Sequence, residues 1–224
     1  MHIPDGFIDG PTSAVAAVVA AGALGVSLRK AGEDVLESRA AMTGLVAAFV
    51  FAAQMLNFPV AGGTSGHLLG GLLAAVLVGP WLGSLAVSVV LVVQCLLFAD
   101  GGISALGLNI INMAFIPAFV AYGLFLLARK ILPANRTGVL AATAVAALVS
   151  VVLAAAAFVV EFAIGGTDAV PVRTVGTAML SVHVLIGIGE AVITTLTIGA
   201  VLATRPDLVA GASDIASPEI LVPA

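Results

Sequence analysis

The sequence predicts an all-α integral membrane protein: seven transmembrane helices, the N-terminus outside and the C-terminus in the cytoplasm. Three observations carry this. Only 9% of the 224 residues are charged and 61% are hydrophobic, whereas roughly 25% of an ordinary soluble domain is charged. Residues 40–99 contain no Asp, Glu, Lys or Arg, and 101–128 and 137–160 are further charge-free runs. The Lys and Arg residues also fall almost entirely on one side of a seven-crossing path.

Pro, Gly and polar clusters divide the apolar runs, and each crossing needs about 20 apolar residues. The first, 12–28, ends before Arg29 and Lys30; the second, 41–57, starts after Arg39 and stops short of Pro59. The third, 66–79, lies between a Gly-rich loop and Pro80, and spans only about 21 Å as helix. The fourth, 81–98, closes before Asp100, and the fifth, 103–129, runs into Arg129 and Lys130. The sixth, 138–162, follows Arg136, and the seventh, 176–203, lies between Arg173 and Arg205. Without the short third crossing, Arg129, Lys130 and Arg136 would oppose Arg29, Lys30 and Arg39. With it, all six share a face with Arg205 and only Arg173 is opposite. The positive-inside rule therefore selects seven crossings. The chain divides into an extracytoplasmic segment 1–11, a transmembrane domain 12–204 and a cytoplasmic tail 205–224.

Several functions are excluded. The single Cys95 forms no internal disulfide, and a net charge of -4 spread along the chain does not suit nucleic acid. There is no phosphate loop for ATP, no His-Glu-x-x-His and no Gly-x-Ser-x-Gly, so an enzyme is not expected. The first residues lack the basic start of a cleaved signal, which leaves Met1 as the expected mature N-terminus.

Met1 is followed at once by His2. An α-amine and an imidazole both shed protons near neutrality. The Met1 amine, the deprotonated main-chain N of His2 and its imidazole Nδ1 close adjacent five- and six-membered chelate rings around one ion. Three nitrogens in a plane suit Ni(II) or Cu(II). A fourth ligand must come from His67 or His183, and His67, after a Gly-rich loop on the same outer face, is the better placed. His183 and Glu190 stand two turns apart on one helix face, where ionisable residues face the bundle interior. Gln54, Asn57, Gln94, Asn109 and Asn112 can orient ligands or tie helices together. Asp5, Asp9 and Asp100 are expected around the outer mouth. Small residues repeat every four positions at Ala17, Ala21 and Gly25 and at Gly71, Ala75 and Gly79, as in close helix packing.

Met1-His2-Ile3-Pro4-Asp5-Gly6, Gly62-Gly63-Thr64-Ser65-Gly66-His67, Asp100-Gly101-Gly102-Ile103 with Asn109 and Asn112, and His183 with Gly187-Ile188-Gly189-Glu190 occur in that order along the chain. In these motifs it resembles the substrate-binding membrane subunits of energy-coupling factor (ECF) transporters for cobalt and nickel. The resemblance implies metal ligation by Met1, His2 and His67, with Asn57, Ser65, Asn109, Asn112, His183 and Glu190 supporting them. It also implies Ni(II) or Co(II) as the transported ligand, with nickel slightly favoured. The implied partners are ECF ATPase subunits, a membrane coupling subunit and a further small membrane subunit, assembled in the cell (inner) membrane. The alternatives are an ECF-type subunit for an organic micronutrient and a structural membrane subunit that binds nothing.

Overall fold

The computed structural model describes residues 1–34, 37–56, 58–59 and 65–215. Seven helices occur among them: α1 (Gly10–Asp34), α2 (Glu37–Gln54), α3 (Gly71–Val78), α4 (Pro80–Phe98), α5 (Leu106–Ile131), α6 (Arg136–Gly165) and α7 (Val172–Thr204). They fall where the seven apolar stretches lie, and five of them, α1 and α4 to α7, are long and apolar enough to cross a membrane. Two residue pairs between α2 and α3 form a small antiparallel ladder, β1 (Phe58–Pro59) with β2 (Ser65–Gly66). After α7 the chain makes two short 3-10 turns, Pro206–Leu208 and Ala210–Ala212, and Val209 and Ala212 are buried there.

The helix boundaries follow local chemistry. Pro80 sits in the first turn of α4, where its missing N–H costs nothing. The Asn135 side chain accepts from Gly138 N–H and caps α6. Asp9 Oδ1 accepts from Thr12 N–H at the start of α1. Within α5, residues Ile111–Ala121 hydrogen-bond in the wider π pattern around Pro117, a residue that has no N–H to give the ladder.

The expected third crossing is only partly helical. Residues 66–70 are not helix, and α3 covers eight residues, about 12 Å. Every residue of α3 is buried, as its sequence Gly-Leu-Leu-Ala-Ala-Val-Leu-Val, apolar on all sides, requires. It is the centre of the bundle, in contact with α2, α4, α5, α6 and α7. Its small residues allow the approach: a side chain at Gly71 would strike Pro117 and Met113 of α5. The other stripe, Ala17, Ala21 and Gly25, lies on the exposed side of α1.

Candidate metal centre

The first nine residues enter the protein rather than leaving it. Ile3 is fully buried; its N–H donates to Asn109 Oδ1 at 2.8 Å, and its carbonyl accepts from Asn109 Nδ2 at 3.2 Å and from Gly102 N–H at 2.8 Å. Asp5 Oδ1 accepts from the main-chain N–H and the hydroxyl of Ser104, at 2.7 and 2.6 Å. These bonds hold its carboxyl below the usual range. Farther along, Phe7 stacks on Phe158 and lies tilted against Phe162 of α6, and Asp9 N–H donates to Gly165 O at 2.7 Å. Thr167 donates its N–H to Phe7 O and its hydroxyl to Gly6 O. Gly101 has φ +95°, and a side chain there would press on His2 and Asn109; one on Gly102 would collide with the Pro4–Asp5 backbone. The Asp100-Gly101-Gly102 loop is therefore the seat of the N-terminal segment.

His67 is held from the other side of the bundle. Both oxygens of the fully buried Glu190 accept main-chain N–H groups, from Leu69 at 2.7 Å and Gly70 at 2.9 Å. Gln54 Nε2 donates to Leu69 O at 2.6 Å. Gly70 takes φ +71°, which favours glycine, with Val50 against its open side. Backbone that is not helical at membrane depth needs such partners. Here they come from α2 and α7.

The two imidazoles meet. Their centroids lie 4.5 Å apart and His2 Nδ1 is 3.0 Å from His67 Nε2. Each ring's other nitrogen has an oxygen acceptor: His67 Nδ1 donates to Leu68 O at 2.7 Å and His2 Nε2 to Gln94 Oε1 at 3.1 Å. In neutral rings this leaves the two facing nitrogens with lone pairs. In this tautomer a shared proton or a metal ion reconciles the two lone pairs; in the other, His2 Nδ1–H faces His67 Nε2 and Asp100 Oδ1, and the Gln94 amide, turned over, donates to His2 Nε2. Nitrogens at adjacent corners of a planar site with bonds near 2.0 Å are about 2.8 Å apart, so the spacing suits an ion. Among the described residues no group of three His, Cys, Asp or Glu side chains is placed to hold a metal. The Met1 amine is buried beside this pair, and burial brings its pKa from 8.0 to about 5, although Asp100 pulls the other way. It is thus already a neutral donor at pH 7. Asp100 Oδ1 stands 3.1 Å from the same His2 Nδ1.

Of the other residues singled out, Asn109 secures Ile3 and Glu190 secures the His67 turn. Asn112 Nδ2 donates to Glu161 Oε2 at 2.7 Å instead of approaching the histidines. His183 Nδ1 donates to Met179 O at 2.7 Å within its own helix. Asn57 and the Ser65 side chain lie outside the described residues, and only the Ser65 backbone, in β2, is described. Of the three carboxylates expected around the mouth, Asp5 and Asp9 make structural bonds and Asp100 is at the site. Glu161 and Ser104 had no sequence signal. Gln94 and Asp100 carried one, but not the knowledge that both converge on His2.

A family model described as CbiM, cobalt uptake substrate-specific transmembrane region, matches residues 2–208. A putative fused nickel transport protein NikMN of Archaeoglobus fulgidus is 40% identical over 209 residues, 93% of this chain and 68% of that protein. A putative metal transport protein of Haloquadratum walsbyi is 39% identical, over 93% of both chains. The cobalt transport protein CbiM of Sorangium cellulosum is 34% identical over 74% of both. A crystal structure of a truncated transition metal transporter superposes with a TM-score of 0.83 at 33% identity, covering 91% of this chain and 99% of that one. All are transport proteins rather than enzymes, and the apolar helices make this chain an integral membrane protein. The chain belongs to the CbiM family of cobalt and nickel transport proteins.

Proposed function

We propose that this chain is the substrate-capture component of an ECF-type importer for Ni(II) or Co(II), crossing the cell membrane seven times with its N-terminus outside. The ion is held by the Met1 amine, the main-chain N and Nδ1 of His2, and Nε2 of His67. The observation that carries this reading is the pair of imidazole nitrogens facing each other at 3.0 Å, each with its other nitrogen engaged. Such outer partners fix the ring orientation and the tautomer of metal-binding histidines. Four nitrogens in a plane favour Ni(II) over Co(II), and the names of the relatives include both metals.

Because the chain has no phosphate loop, inward transport needs separate ATPase subunits and a membrane coupling subunit. The outward stripe Ala17, Ala21 and Gly25 is a surface on which another helix can lie close. Capture comes first at the outer face; the ATP-driven partners then drive release inward.

Acetylating the N-terminus turns the amine into an amide and removes one of the four nitrogens; replacing His2 by Ala removes the imidazole Nδ1. Titration of the purified protein with Ni(II) and Co(II) is expected to show high affinity before and none after either change. Unaltered titration would refute the chelate. Metal content after growth in mixed nickel, cobalt and copper identifies the preferred ion.

A further inference from the structure

One donor near the proposed centre is left over. His183 is 1% exposed, its Nδ1–H is committed to Met179 O, and its Nε2 has no hydrogen-bond partner among the described residues. The tautomer is thereby fixed with a lone pair on Nε2. A buried polar atom left without a partner is uncommon and calls for a reason.

Its place in the fold supplies one. α7 touches β2 at residues 65–66 and binds the backbone of residues 69–70 through Glu190, so it flanks His67 on both sides in sequence. His183 shares the buried face of α7 with Glu190 and Thr194. It stands about 10 Å along the helix from Glu190, and His67, two to three non-helical residues before the Glu190-bound amides, can reach about the same depth. His183 also interacts electrostatically with both the Met1 amine and the His67 imidazole. Yet it forms no three-residue metal group with His2 and His67.

We infer that His183 is a transfer ligand: its Nε2 takes the ion from, and returns it to, the four-nitrogen site. This rests on the proposed metal site. A planar four-nitrogen ion exchanges ligands by accepting a fifth donor above or below the plane and then letting one of the four go. The Nε2 lone pair forms the new bond as one metal–nitrogen bond breaks, with no change in metal charge. Among the buried side-chain atoms of the described residues, His183 Nε2 is the unpartnered nitrogen with a lone pair to give; the Gln94 amide nitrogen, also unpartnered, has none.

The test is the rate of exchange. His183→Asn keeps an N–H for Met179 O and removes Nε2. Stopped-flow capture of Ni(II) by the full chain, and its release to a chelator, are both expected to slow on the order of ten-fold, with Kd changing far less. Unchanged rates, or a Kd loss caused by faster release alone, would overturn the transfer role. If the Asn variant does not fold, His183→Gln, which puts a carbonyl oxygen near the Nε2 position, must also exchange Ni(II) more slowly than wild type; equal rates overturn the inference. Failure of wild-type protein to bind Ni(II) or Co(II) would instead sink the site itself.

Discussion

Two side chains decide where the histidines stand, and neither is a histidine. Asn109 pairs with both polar groups of the Ile3 peptide unit, as a neighbouring strand would, and so fixes the chain just after the proposed chelate. Glu190 does the equivalent for His67 with two charge-assisted bonds. Replacing Glu190 by Gln keeps one acceptor and turns an NH2 group towards the other amide. That leaves a buried N–H unsatisfied, at a cost of about 1–3 kcal/mol, and the loss falls on the backbone that carries His67. Metal affinity by calorimetry is expected to drop about 10- to 100-fold while the helix content measured by circular dichroism stays. Wild-type affinity in the Gln variant would mean that the turn keeps its shape without the carboxylate.

At the scale of elements, the N-terminal segment is a docked strap rather than a tail. Its grip depends on pH through the amine. The free amine titrates at 8.0 and the docked one at about 5, so the undocked state binds the extra proton between those values. Docking of the metal-free segment is therefore strongest above pH 8 and weakens progressively as the pH falls towards 5. At about 1.4 kcal/mol per unit, the loss over that window is on the order of 4 kcal/mol. Hydrogen exchange at the Ile3 and Gly102 amides, corrected for its intrinsic pH dependence, is expected to show falling protection across that window. Constant protection would mean that the amine is not buried when the metal is absent.

Elements also show where sequence reasoning reached its limit. Apolar runs and their Gly, Pro and Arg boundaries placed all seven helices, missing by five or six residues only the end of α1 and the start of α3, because lipid burial is a property of composition. The start of α3 was not legible. What stops the helix from starting at Gly66 is a carboxylate 121 residues away bonding Leu69, and no local pattern announces such a partner. Met1, His2 and His67 stood out because two donors adjacent in the chain make a chelate whatever the fold does. Gln94, Asp100 and Glu161 joined the site or its surroundings only through helix packing.

For the molecule as a whole, five helices satisfy the length of a bilayer crossing, while α2 and the buried α3 fall short by themselves. The seven-crossing path makes a definite statement about sides. Single cysteines in a Cys95→Ser background at Thr167 and at Thr204 should react with a membrane-impermeant thiol reagent from opposite faces, Thr167 from outside in intact cells and Thr204 only after lysis. Labelling of both from the same face would break the topology.

The strap has one more consequence, for the order of assembly. Its partners lie far along the chain: Asn109 is 106 residues from Ile3, and Thr167 is 161 residues from Gly6. A ribosome makes residues 1–9 before these partners, and Ile3, Asp5, Gly6 and Phe7 find theirs only once the α4–α5 loop and the end of α6 have been made and inserted. Contacts this distant in sequence close late, because the loop entropy must be met before they form. The segment thus waits for partners made after it, and a chain interrupted before Asn109 lacks the side chain that pairs with Ile3, while one interrupted before Thr167 lacks the contacts to Gly6 and Phe7.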